Sequence, residues 1–115
     1  MPDSEENLDL VRGTFDLILL ETLAWGPMHG LGVVRWIETV THSELQVEEG
    51  ALYPALHRLE QKRWLSSEWG LTDKNRRAKY YRITARGRKQ LAVETSRWSR
   101  YTEAVGRILA AEPAP

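Results

Sequence analysis

Apolar side chains recur at helical spacing in three segments of the first half of the chain. Residues 14–25 are apolar on most sides, which predicts a buried central helix. Residues 31–41 carry a narrower inner stripe and follow a Gly-Pro break, which predicts a second helix. Residues 49–63 predict a third, whose inward stripe consists of Leu52, Ala55, Leu56 and Leu59.

Pro54 places the start of the third helix. Its missing N–H is harmless only in a first helical turn, so the helix is expected to begin at Glu49 or Gly50. Tyr53 and His57 lie on the side of the helical wheel opposite the leucines, which leaves them facing outward.

The pattern changes to β structure after the third helix. Residues 64–69 and 78–84 predict two strands, and the polar residues 70–77 between them predict a hairpin loop. A long helix is expected over residues 85–111, with Thr84 as its N-cap.

The last helix should extend about 40 Å, at 1.5 Å per residue. That is more than a small domain can cover. Six of its residues repeat at alternating spacings of four and three, the seam that packs against a partner helix. This predicted dimer interface consists of Leu91, Thr95, Trp98, Thr102, Val105 and Leu109.

Composition narrows the class of protein. The 115 residues suit one domain, with residues 1–9 expected as a flexible arm and residues 112–115 as a tail. The absence of cysteine rules out disulfides and thiolate zinc sites. No apolar run reaches the roughly 18 residues of a membrane span, and the acidic N-terminus is unlike a signal peptide, so a cytoplasmic location is expected.

The formal net charge of zero hides a division of charge along the chain. Residues 1–50 hold ten acidic and two basic residues, whereas residues 51–115 hold fourteen basic and six acidic ones. Residues 74–89 contain eight Lys or Arg and no Asp or Glu. Such a basic segment indicates either a polyanion partner or a solvated face without one.

Three helices, a hairpin and a fourth helix form the order of a winged helix-turn-helix domain, here residues 10–84, followed by a dimerisation helix. The expected fold is therefore mainly α with a small β-hairpin. In this architecture the third helix enters the major groove of DNA. The basic segment then falls on the hairpin, where it can contact phosphates. The predicted contacts there are Lys74, Arg76, Arg77 and Lys79.

Four segments of the chain resemble the PadR family of transcriptional regulators. They are GTFD at 13–16, GPMHG at 26–30, GALYPALHRLE at 50–60 and KYYRITARG at 79–87. The resemblance covers about residues 10–110. It implies a dimeric DNA-binding protein, usually a repressor, with a C-terminal helix that dimerises.

The chain departs from the family pattern at two places. Glu48 and Glu49 stand where relatives often have Ser or Thr; carboxylates suit a helix N-terminus but repel phosphates. Arg63 stands in a turn where relatives often have Gly.

Three further side chains have two interpretations each, and a fourth has one. Tyr53 either donates its hydroxyl to DNA or packs half-buried against the second helix. His57 contacts DNA or solvent, and Arg58 pairs with DNA or with a carboxylate of its own chain. Arg12, before the first helix, is a candidate contact with the DNA backbone.

Trp98 is the candidate effector contact. Two such indoles can face each other across a dimer axis, and the small neighbours Thr95 and Thr102 leave space beside them. A planar apolar or cationic compound fits such a space; plain interface packing is the alternative.

Catalytic and metal chemistry are not expected. The three histidines have no tight ligand spacing, and no phosphate loop, nucleophile elbow or metalloprotease motif occurs. No cofactor is predicted. The alternative to a regulator of transcription is a protein-interaction module whose basic hairpin binds an acidic partner.

Overall fold

A computed structural model describes the backbone of residues 4–113 and the side chains of residues 13–113. It has the predicted fold class: four helices and a small antiparallel sheet. The elements, in chain order, are α1 (Ser4–Ala24), β1 (Met28–His29), α2 (Gly30–Val40), α3 (Glu49–Gln61), β2 (Leu65–Leu71), β3 (Arg77–Ile83) and α4 (Ala85–Ala110).

Helix α1 begins ten residues before its predicted start. Residues 4–9, expected as a flexible arm, are helical; residues 1–3 lie outside the described part of the chain.

The sheet has a strand that the sequence pattern missed. Its order is β1–β3–β2, and Met28 and His29 of β1 pair with Tyr81 and Tyr80 of β3. Two residues are too short for an alternating pattern, so tertiary pairing alone defines β1.

Strands β2 and β3 form the predicted hairpin, in register from Leu65 opposite Ile83 to Leu71 opposite Arg77. Strand β2 ends two residues later and β3 begins one residue earlier than predicted, which leaves residues 72–76 as the tip. The Thr72 amide donates to the Arg76 carbonyl at 2.8 Å, and Asn75 adopts a left-handed φ of 59°.

One apolar core joins the helices to the base of the hairpin. The leucines of α3 predicted to face inward are all fully buried. The core comprises Leu19, Leu20, Leu23, Val33, Ile37, Leu52, Ala55, Leu56, Leu59, Leu65 and Tyr81. The same packing turns Tyr53 and His57 outward.

Helix α3 begins at Glu49, as predicted, and ends in a Schellman motif. Pro54 is its sixth residue and lies inside the helix, so the argument that placed Pro54 in the first turn was wrong although the start was right. The Trp64 amide donates to the Leu59 carbonyl at 3.1 Å, and the Arg63 amide to the Glu60 carbonyl at 2.9 Å. Arg63 therefore has a φ of 63°, a left-handed conformation that favours Gly.

Helix α4 is anchored at its first turn. Thr84 is the N-cap, as predicted, and accepts a hydrogen bond from the Gly87 amide at 3.0 Å. Gly87 is buried so tightly that a β-carbon there would lie 2.1 Å from the Trp64 carbonyl oxygen. Most of α4 beyond this anchor is exposed.

Candidate nucleic-acid interface

The exposed stripe of α3 consists of Tyr53 and His57, four residues apart, and half-buried Glu60 lies three residues further along the same face. Tyr53 packs half-buried against the second helix, and its contact with DNA stays a prediction. Its ring packs over Gly30 at the start of α2, yet 44% of the residue stays exposed. His57 is exposed one turn further along.

Arg58 is held by its own chain. Its guanidinium forms an ion pair with Asp16 of α1, and the carboxylate is mostly buried. Of the two interpretations of Arg58, the internal ion pair is the one that the structure has. Side-chain placement of Arg12 lies outside the described residues, so its contact with DNA stays a prediction.

Glu60 connects α3 to the hairpin. Its carboxylate accepts from the Ser67 hydroxyl at 2.5 Å and lies 3.4 Å from the ammonium of Lys79. The Ser67 hydrogen bond first, and then the charge of Lys79, hold the pKa of Glu60 below its usual value against the opposing effect of burial.

Lys79 therefore differs from the other predicted hairpin contacts. Besides Glu60, its ammonium lies 5.6 Å from the ring centroid of Tyr81. Its charge is already neutralised within the chain, so it stands at the inner edge of the basic cluster rather than at its free tip. Burial raises the pKa of Tyr81, which keeps that phenol neutral.

The two faces of the hairpin differ in chemistry. Strand alternation places Ser67, Trp69, Arg77 and Lys79 on one face. Because Ser67 and Lys79 both reach Glu60, this face adjoins the exposed stripe of α3. On the opposite face, the guanidinium of Arg82 pairs with Glu68 at 2.7 Å.

The hairpin tip, taken together with the adjoining Arg77 at the start of β3, carries the uncompensated positive charge. Lys74, Arg76 and Arg77 are exposed, and no carboxylate lies within ion-pair distance of them among the residues that the structure describes. Arg77 instead stacks on the indole of Trp69, with its Cζ 4.6 Å from the ring centroid.

Helix α4 presents the predicted seam unevenly. Leu91 packs against the core of its own chain, and Val105 is half-buried. Thr95, Trp98, Thr102 and Leu109 are exposed, Leu109 to 80%. The first seam residue thus helps to anchor α4, and the later ones leave an apolar surface without cover in a single chain.

Trp98 lines a groove of about 260 Å³ between α1 and α4. Its ring lies 6.1 Å from that of Tyr101, and Leu17 of α1 forms the opposite wall. This groove lies within one chain. The space expected beside Thr95 and Thr102, between two Trp98 indoles across a dimer axis, stays a prediction.

Sequence reasoning missed three members of this surface. Gly30 supports Tyr53, Glu60 holds Lys79, and Trp69 stacks with Arg77. The strand register offered a signal only for Trp69, since an exposed indole beside a cation is recognisable once the hairpin pairing is known.

The described residues contain no cluster of His, Asp or Glu arranged to hold a metal ion. Nor does any helix in the described part of the chain have the length and apolarity to span a membrane.

Residues 19–93 match the transcriptional regulator PadR-like family. A transcriptional regulator from Clostridium thermocellum is 30% identical, with a TM-score of 0.78 over 86% of this chain and 96% of that one. A PadR family regulator from Eggerthella lenta is also 30% identical, with a TM-score of 0.75 over 95% and 93%. An uncharacterized protein of Lysinibacillus sphaericus is 29% identical over 97 residues, 84% of this chain and 89% of its own.

Proposed function

The chain belongs to the PadR-like family of transcriptional regulators, and from this premise we propose that it is a repressor that binds an inverted-repeat operator as a homodimer in the cytoplasm. The observation that carries the proposal is the continuous surface formed by the exposed stripe of α3 and the uncompensated cations of the hairpin tip.

Helix α3 is the reading element. Its exposed stripe projects Tyr53 and His57, whose hydroxyl and imidazole can hydrogen-bond to base edges or phosphates in the major groove. Glu48 and Glu49 at its N-terminus repel phosphate, which favours an approach through the middle of the helix.

The hairpin tip is the backbone clamp. Lys74, Arg76 and Arg77 contact phosphates, which supply affinity and orientation. Lys79 lies beside them, with its charge shared with Glu60. Arg12, which lies within α1, adds a phosphate contact.

Dimerisation places two such surfaces on one operator. The exposed end of α4 supports dimerisation, because Leu109 and Ile108 are 80% and 74% exposed. Neighbouring apolar side chains that are this exposed mark an interface. The later seam residues, from Thr95 to Leu109, then pack across the two-fold axis, and the length of α4 sets the half-site spacing.

The decisive experiment is selection of DNA from a random pool by the purified protein, followed by sequencing. We expect an enriched site with two inverted halves, and sedimentation equilibrium should give a dimer that binds one duplex. A single, non-repeated half-site with a monomer in solution would contradict the dimeric operator complex.

A protein-interaction module is the second candidate, because the same hairpin cations would suit an acidic protein surface. The selection distinguishes the two candidates. A protein that enriches no sequence and binds DNA only at low salt behaves as a general polyanion binder, and its biological partner is then a protein.

We also propose that the groove beside Trp98 binds a planar apolar or cationic effector. An indole and a phenol side by side, with Leu17 opposite, offer stacking surface. Such a ligand regulates DNA binding only if it favours one dimer geometry. Titration with a planar dye should quench tryptophan fluorescence in the wild type more than in Trp98→Ala; equal quenching would exclude this site.

A further inference from the structure

We infer that Trp69 is a positioning residue for DNA binding: its indole holds the guanidinium of Arg77 in place on the face of the hairpin that adjoins α3. The inference rests on the proposed DNA-binding function. It adds a residue that the chemistry of phosphate contacts alone does not select, because an indole carries no charge.

The geometry is that of a cation–π pair. The Cζ atom of Arg77 lies 4.6 Å from the centroid of the Trp69 ring, inside the range of about 6 Å over which such pairs attract. In the register of the hairpin Arg77 is opposite Leu71, which makes it the diagonal neighbour of Trp69.

Trp69 has no burial that would explain its presence. The residue is 60% exposed, on a part of the hairpin that extends beyond the core. An aromatic side chain in that position loses most of the stabilisation that burial gives, so contact with Arg77 is the main interaction that the structure gives it.

The stack leaves Arg77 able to bind phosphate. A guanidinium is planar, so its face can rest on the indole while the N–H groups at its edge remain available to an oxygen. An ion pair would instead neutralise the charge, as Glu60 does for Lys79 and Glu68 for Arg82.

Arg77 is therefore ordered without being neutralised. A free arginine side chain loses considerable rotamer entropy when it binds a phosphate. The stack removes part of that entropy before DNA arrives, which strengthens binding without adding a contact to DNA.

The face of the hairpin that carries Trp69 and Arg77 is also the face that the proposed interface requires. Trp69 and Arg77 share their hairpin face with Ser67 and Lys79, both of which contact Glu60 on α3. A duplex that lies along the exposed stripe of α3 meets this face, whereas the Glu68–Arg82 pair lies on the opposite face.

A double-mutant cycle on the full-length chain tests the inference. Affinity for a labelled duplex of mixed sequence is measured by fluorescence anisotropy for the wild type, Trp69→Ala, Arg77→Ala and the double variant. Trp69→Phe keeps an aromatic face, and Trp25→Ala removes another exposed indole as the matched control. Circular dichroism confirms that each variant is folded.

We expect Trp69→Ala to weaken binding by roughly two- to fivefold, the range of an exposed cation–π pair. The loss should be smaller in Trp69→Phe and absent in Trp25→Ala. It should also be absent in the Arg77→Ala background, because Trp69 then has nothing to position.

Equal losses in both backgrounds would overturn the inference and make Trp69 a DNA contact in its own right. An unchanged affinity in Trp69→Ala would overturn it too. A wild-type protein that fails to bind any duplex would refute the proposed function and the inference together. That result differs from equal effects of Trp69→Ala in both backgrounds of a protein that binds DNA, which would refute the inference alone.

Discussion

The ring of Tyr53 on α3 lies against the α-carbon of Gly30, the first residue of α2. A β-carbon on Gly30 would stand 2.7 Å from the Tyr53 hydroxyl oxygen and from its Cε1 atom, closer than any such contact allows. Because Gly30 has no side chain, the ring of Tyr53 can occupy its place at the candidate interface.

Gly30→Ala should displace Tyr53 without unfolding the protein. The obstructing atoms belong to the end of a half-exposed side chain, which can swing away, so the free energy of unfolding should fall by less than about 1 kcal/mol. Affinity for the selected operator should fall as it does in Tyr53→Ala. Gly50→Ala, where a β-carbon meets nothing within 4 Å, is the control for thermal stability. Undiminished affinity in Gly30→Ala would remove Tyr53 from the interface.

Arg63→Gly should stabilise the protein by about 1 kcal/mol. Arg63 has a φ of 63°, which costs any residue with a β-carbon roughly that amount and costs Gly almost nothing. Urea unfolding measures the difference. Arg63→Ala removes the same long side chain but keeps the β-carbon, so it should show no gain. Equal gains in both variants would assign the effect to the side chain instead of the backbone.

Glu60 should make stability depend on pH on the acid side. Its pKa is depressed in the folded protein, so the unfolded chain binds the proton more readily and stability rises with pH in this window. The contribution is present at neutral pH and is lost as the pH falls through 4.5, the usual value, and then through the lower folded value. Glu60→Gln should lower stability at pH 7 by at most about 1 kcal/mol and flatten this dependence. If the free energy of unfolding falls equally in both proteins as the pH is lowered, Glu60 is not the source of the dependence.

Replacing Arg76 and Arg77 together by Ala should weaken binding to all DNA sequences about equally, since phosphate contacts carry no sequence information. The slope of log affinity against log salt should become shallower by roughly one to two units per half-site. Lys89→Ala with Arg100→Ala removes the same charge from exposed positions of α4 and should leave the slope nearer the wild-type value. An unchanged slope in the hairpin variant would mean that these arginines do not reach phosphate.

Val105→Glu with Leu109→Glu should give a monomer. Two carboxylates would lose their hydration at the seam without partners, which costs far more than the apolar contact that they replace. DNA binding should weaken because one half-site is lost. Ala92→Glu with Ser96→Glu adds the same charge at exposed positions of α4 outside the seam and should sediment as the wild type does. A seam variant that remains dimeric would place the interface elsewhere.

The sequence by itself determined the existence and order of the four helices and of the hairpin, although not the start of α1. Apolar spacing of three and four specified the helices, and alternation specified the hairpin. Each of these signals is local, since it concerns residues within a few positions of each other. The sequence also determined that Tyr53 and His57 lie opposite the buried leucines of α3.

Only the tertiary structure decided the partners of the charged and aromatic side chains. Arg58 pairs with Asp16, Lys79 pairs with Glu60, and Arg77 stacks on Trp69. The partners in each pair are too far apart along the chain for a helical or strand period to predict the contact. The two-residue strand β1 likewise exists only because β3 lies beside it. A charge run shows how many cations a segment holds, but long-range packing brings carboxylates to some of them. That neutralises Lys79 and leaves the hairpin tip free to meet phosphate.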